Sequence, residues 1–87
     1  MSKEKTASEK MSQHSIEQLL LAFGERIRNG RKHKGLSQED FAAECGLHRT
    51  EMGLLERGKT IPRLDTLLLI SRHLGLSVSE LLRGIKL

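Results

Sequence analysis

Ser37-Gln-Glu-Asp-Phe-Ala-Ala-Glu-Cys-Gly-Leu-His-Arg-Thr-Glu-Met-Gly-Leu-Leu-Glu-Arg-Gly58 is the stretch on which the fold turns. Ser37 offers a hydroxyl able to cap a helix over Gln38–Cys45, and Glu39 and Asp40 put negative charge where the helix dipole favours it. Gly46 ends that helix, because a residue without a Cβ takes the positive φ of a tight turn at no steric cost. A second short helix follows almost at once, over about 48–56, and Gly58 stops it. Two helices joined so closely need a small residue where their backbones approach, and Ala42 stands there. They also need apolar side chains at each inward position, and Phe41, Cys45, Leu47, Met52 and Leu55 supply them. Together with Gly46 these are seven constraints met within residues 41–55.

Working outward, Leu19, Leu20, Phe23 and Ile27 recur at helical spacing, and Ser15-Ile-Glu-Gln18 has the form of a capping box. A first helix is therefore expected from Ser15 through Arg31, ending at Gly35. Gly24 and Gly30 each weaken it by about 1 kcal/mol relative to Ala. Residues 1–14 lack apolar periodicity and read as a flexible tail. On the other side, Lys59-Thr-Ile-Pro62 is a loop ending on a proline that suits a helix start. Leu64, Leu67, Leu68, Ser71 and Leu74 are expected to give a fourth helix its inward face. Gly75 ends it, and Ser77 caps a short fifth helix through Leu82. No strand pattern is visible. The expected fold is all-α, a compact five-helix domain over residues 15–87 with the helix pair at about 37–57.

Composition narrows the function. A chain of 87 residues has room for one domain, with 37% apolar residues for its core and 30% charged residues for its surface. The net charge of +4 suits a polyanionic partner. That charge is uneven: +3 over residues 15–36, −3 over 37–57 and +3 over 58–87. Attraction to phosphate must then come mainly from the flanks of the helix pair. Phe23 and Phe41 are the only aromatics, too few to stack single-stranded bases. No membrane span or secretory signal is visible, and the single Cys45 suits a reducing compartment, so a cytoplasmic location is expected. There is no nucleophile–base–orienter set, Gly-rich phosphate loop or carboxylate pair. We therefore expect no catalytic residues and no cofactor. Cys45 and His48 lie three residues apart, but two ligands do not make a metal site, and Cys45 falls on an inward position.

The segment Leu36–Gly58, with the loop to Pro62 and Leu-Gly-Leu-Ser-Val-Ser-Glu-Leu-Leu82, resembles the phage-repressor/Cro-like family of helix-turn-helix regulators, also called the xenobiotic-response-element family. The likeness spans about Phe23 to Leu82. It implies a lambda-repressor-like domain that lays its third helix, about 48–56, in the DNA major groove. Position by position, the resemblance makes Gln38 a phosphate contact at the start of the second helix. Arg49 and Thr50 become readers of base edges, the arginine toward guanine and the threonine toward a thymine methyl or an acceptor. His48 and Glu51 border them, with Glu51 able to accept from cytosine or to repel phosphate. Arg57, Lys59 and Arg63 fall where the family holds the DNA backbone, and Glu56 matches a glutamate paired with a basic residue of the first helix, here Arg31. Gly30 departs from the pattern, standing where a bulky aliphatic is usual. Leu69 stands where a charge is common.

The function expected from this reading is sequence-specific binding of a double-stranded DNA operator by a small transcriptional regulator. One such domain reads few base pairs, so a homodimer on a pseudo-palindromic operator is expected, with Leu69, Ile85 and Leu87 as candidate interface residues. Two alternatives use the same fold: an antitoxin that binds a toxin and regulates its own operon, and a protein-interaction module that has lost DNA binding. RNA polymerase is a further partner that the regulator reading admits.

Overall fold

Apolar residues recurring every three or four positions fasten the first helix to the rest of the chain. In the computed structural model, which describes residues 13–85, α1 is Gln13–His33, α2 Gln38–Cys45, α3 Arg49–Glu56, α4 Leu64–Leu74 and α5 Val78–Leu82. These five helices, and no strand, make up the regular structure of the described residues. None of the helices is long and apolar enough to cross a membrane. The start of α1 differs from the expectation. Gln13 and His14 are already helical, so Ser15 and Gln18 lie inside the helix and do not form a box at its entrance. Residues 1–12 of the expected tail lie outside the described residues.

The helix ends follow the local chemistry. Ser37 Oγ accepts from the Asp40 amide at 3.0 Å, and Gly46 closes α2 with a φ of 71° while its amide reaches back to Ala42 and Ala43. At α5, Ser77 and Glu80 form a reciprocal capping box. His48 is the N-cap of α3 in backbone conformation but makes no side-chain cap bond.

The core gathers Phe23 and Ile27 of α1, Phe41, Ala42 and Cys45 of α2, Met52 and Leu55 of α3, Ile70 of α4 and Leu81 of α5. Leu36, Leu47, Leu67, Leu74 and Ile85 pack around it, half-buried. Burial pushes the Cys45 thiol up to about 11, with Glu44 adding to the effect and Lys34 opposing it. It is a protonated core group, and His48 is exposed at the helix start. α3 sits between α1 and α2, and the contact with α1 is close. A Cβ on Gly24 would lie 2.5 Å from the carbonyl oxygens of both Leu55 and Glu56. Gly30 works differently: a Cβ there would meet the Leu74 side chain at 2.9 Å. The space that a bulky aliphatic would take in the family resembled is thus filled from α4.

The inward face of α4 is not the expected one. Leu64 and Leu68 are exposed, and the buried residues are Thr66, Ile70 and Ser71, with Leu67 and Leu74 half-buried. At 3.6 residues per turn, Leu68 points about 160° away from Ile70. A helix with leucines all round has no face that periodicity alone can choose. Ile85 also departs from expectation. It packs against the core because Arg26 of α1 donates to the Leu81 carbonyl at 3.0 Å and to the Arg83 carbonyl, drawing the end of the chain inward. Leu87 lies outside the described residues.

Candidate nucleic-acid interface

The turn at Gly46 sends α3 out across α2, so the N-terminal ends of both helices open on one side of the molecule. Gln38 from the first turn of α2 and Arg49, Thr50 and Arg57 from α3 and its C-cap line a single open hollow there. Arg49 and Thr50 are exposed, as Arg57 and Lys59 are, whereas Glu51 is half-buried. Glu39, His48 and Arg49 border an adjoining hollow with Ala42, Ala43 and Leu47. Arg63 is exposed at the N-cap of α4, and its guanidinium donates to Asp65 at 3.2 Å. That neighbour was not foreseen: Asp65 competes with any phosphate for Arg63.

Beneath this surface is a buried charge cluster centred on Glu56, whose side chain is 0% exposed. Arg31 Nε donates to Glu56 Oε2 at 2.7 Å, and Arg31 Nη2 donates to Oε1 at 2.9 Å. The two-pronged geometry satisfies both carboxylate oxygens with one cation. The third guanidinium nitrogen donates to the Leu36 carbonyl at 2.9 Å. Glu56 Oε1 also accepts from Gln38 Nε2 at 3.2 Å and lies 3.5 Å from Arg28 Nε. Burial alone would push the Glu56 pKa up. The hydrogen bonds from Arg31 and Gln38, the Arg31 charge and Arg28 outweigh it and hold the carboxyl below the usual glutamate range. The hydrogen bonds to Glu56 and its charge in turn raise Arg31 despite its burial.

This cluster connects the core to the surface. Gln38 bonds inward to Glu56 through its side-chain amide while lining the open hollow above. Gly53, buried on α3, gives it room. A Cβ there would stand 3.1 Å from a guanidinium nitrogen of Arg57 and 3.3 Å from Gln38 Oε1. The sequence held one sign of this. An interior helical glycine costs about 1 kcal/mol relative to Ala and so invites a search for a close neighbour. Several of the basic residues between Arg26 and Lys34 are engaged within the chain. Arg26 holds the end of the chain, Arg31 is buried, and Lys34 donates to the His73 carbonyl and lies 3.8 Å from Glu44.

A family model described as helix-turn-helix matches residues 27–81. The control protein C.BamHI of Bacillus amyloliquefaciens is 43% identical over 63 residues, which cover 71% of this chain and 78% of that protein. The control protein C.MunI of a Mycoplasma species is 42% identical over 67 residues, covering 76% and 90%. Among solved structures, the restriction-modification controller protein C.AhdI from Aeromonas hydrophila superposes with a TM-score of 0.68 at 40% identity. That match covers 71% of this chain and 94% of the controller. The matched segment contains α2, α3, the Arg31–Glu56 pair and all of α4. The chain belongs to the helix-turn-helix family of DNA-binding transcription regulators.

Proposed function

We propose that this protein binds duplex operator DNA as a cytoplasmic homodimer, with α3 in the major groove, and acts as a small regulator of the controller type. The observation that carries the reading is the convergence of Gln38, Arg49, Thr50 and Arg57 on one open hollow. In this reading Arg49 and Thr50 read base edges, and His48 and Glu51 set which neighbours are tolerated. Gln38, Arg57, Lys59 and Arg63 hold phosphate without reading sequence. The similarity to two control proteins and a controller structure supports this assignment over an antitoxin or a protein-interaction module.

Arg49→Ala is expected to cost about 1–3 kcal/mol on the preferred site and to relax selection at one base position. Wild type and variant are to be titrated against every single-base variant of a duplex selected from a random pool. An equal loss on all duplexes would reassign Arg49 to phosphate. A wild type that selects no duplex at low salt would sink the DNA reading and favour the interaction module.

Arg63→Ala should weaken selected and random duplexes alike and lower the magnitude of the salt slope by about 1. A sequence-selective loss at unchanged slope would place Arg63 on a base.

A further inference from the structure

Once α4 has buried Thr66, Ile70 and Ser71, its other side is left with a run of exposed leucines. Leu64, Leu68 and Leu69 are 73%, 52% and 37% exposed, and Ile61, just ahead of the helix, is 71% exposed. Single surface leucines need no explanation, but a cluster on one helix does. Asp65, Leu68, Leu69 and Arg72 line one shallow hollow on this side. At 3.6 residues per turn these four and Leu64 fall within about 140° of arc. The stripe has an acid toward one end, leucines in the middle and a base toward the other end. Among the described residues, Arg72 meets no acid of its own chain.

We propose that this face seats a second copy of the chain, with the two α4 helices antiparallel and the two-fold axis between Leu68 and Leu69. This deepens the dimeric reading given above and rests on it. The charge pattern chooses the occupant. Asp65 and Arg72 are equally distant from the midpoint between Leu68 and Leu69. A two-fold there sets Asp65 of each copy against Arg72 of the partner subunit, twice over, with leucine on leucine between them. A parallel arrangement would oppose like charges. The helix dipole also favours an acid near the start of α4 and a base near its end, but it gives no reason for the exposed leucines between them. Within one chain Asp65 accepts from Arg63, with both side chains well exposed at 64% and 81%, and such an exposed pair yields readily to a better partner. Dimerisation would therefore free Arg63 for phosphate.

The test is sedimentation equilibrium of the full chain at micromolar concentration and low salt, with thermal melts in dilute solution to establish that each variant folds. Asp65→Arg alone and Arg72→Asp alone oppose like charges across the axis, and each should weaken dimerisation about tenfold or more. The double swap, Asp65→Arg with Arg72→Asp, restores the pairing and should return dimerisation to within about threefold of wild type. Leu68→Glu changes only an exposed side chain and should leave the fold intact but the protein monomeric. A dimeric wild type with dimeric single variants overturns this interface and leaves the dimeric reading standing. Single-variant losses that the double swap does not restore overturn the antiparallel register. A monomeric wild type, free and on its selected duplex, overturns both readings.

Discussion

Glu56→Ala is expected to destabilise the protein by about 3–5 kcal/mol, because it leaves the Arg31 guanidinium buried without its counter-charge. A domain's whole stability is about 5–15 kcal/mol, so the variant should be largely unfolded at modest urea concentrations. The carboxylate holds three partners through four contacts: Arg31 on both oxygens, and Gln38 and Arg28 on Oε1. Truncating either end alone strands the other. Replacing both by apolar residues, Arg31→Met with Glu56→Leu, should cost much less than the sum of the single losses. Urea melts of wild type, Arg31→Met, Glu56→Leu and the double variant provide the check, and strictly additive losses would show that the pair contributes no coupling. DNA binding should suffer in the double variant even where folding does not, since Gln38 loses the acceptor that holds its amide.

The same group makes stability depend on pH. Its folded pKa lies below its unfolded value, so the unfolded chain takes up the proton more readily. The stabilisation is complete above the ordinary glutamate pKa of about 4.3. It declines as pH falls through that value and continues to decline through the lower folded pKa. Between neutral pH and pH ~3, wild type should therefore lose more stability than Glu56→Gln, which has no proton to gain at this position. Equal losses would mean that acid acts through other groups.

Gly24→Val is expected to destabilise by about 3 kcal/mol, at the upper end of what overpacking costs. The obstacle is backbone on both sides: a Cβ would lie 2.5 Å from two carbonyl oxygens of α3, and neither can swing aside as a side-chain tip can. Gly24→Ala should also destabilise, although alanine is the better helix former by about 1 kcal/mol. Gly30→Ala is the contrast, since its neighbour is the flexible end of Leu74. Its effect should be small, with thermal midpoints of the three variants as the measurement. A stabilised Gly24→Ala would show that α1 and α3 can separate at little cost.

Much of the architecture was legible because it rests on local chemistry. Ser37, Gly46, Gly75 and Ser77 act within their own helix ends, so their roles follow from residue type and spacing. The Arg31–Glu56 pair was legible only through the family resemblance, because nothing local relates residues 25 positions apart. Resemblance also supplied the candidate DNA contacts, since an exposed Arg49 or Thr50 looks like any solvated side chain when taken alone.

By itself, then, the sequence determined the helices, their stops, the inward residues of α2 and α3, and the uneven charge. Tertiary structure decided three things. It turned Leu64 and Leu68 of α4 outward, because a helix with leucines on every side is oriented by what it packs against. It brought Ile85 onto the core through Arg26, a contact spanning more than fifty residues. It also gave Gly24 and Gly53 their purpose, because a missing side chain has meaning only when the neighbour that would strike it is in place.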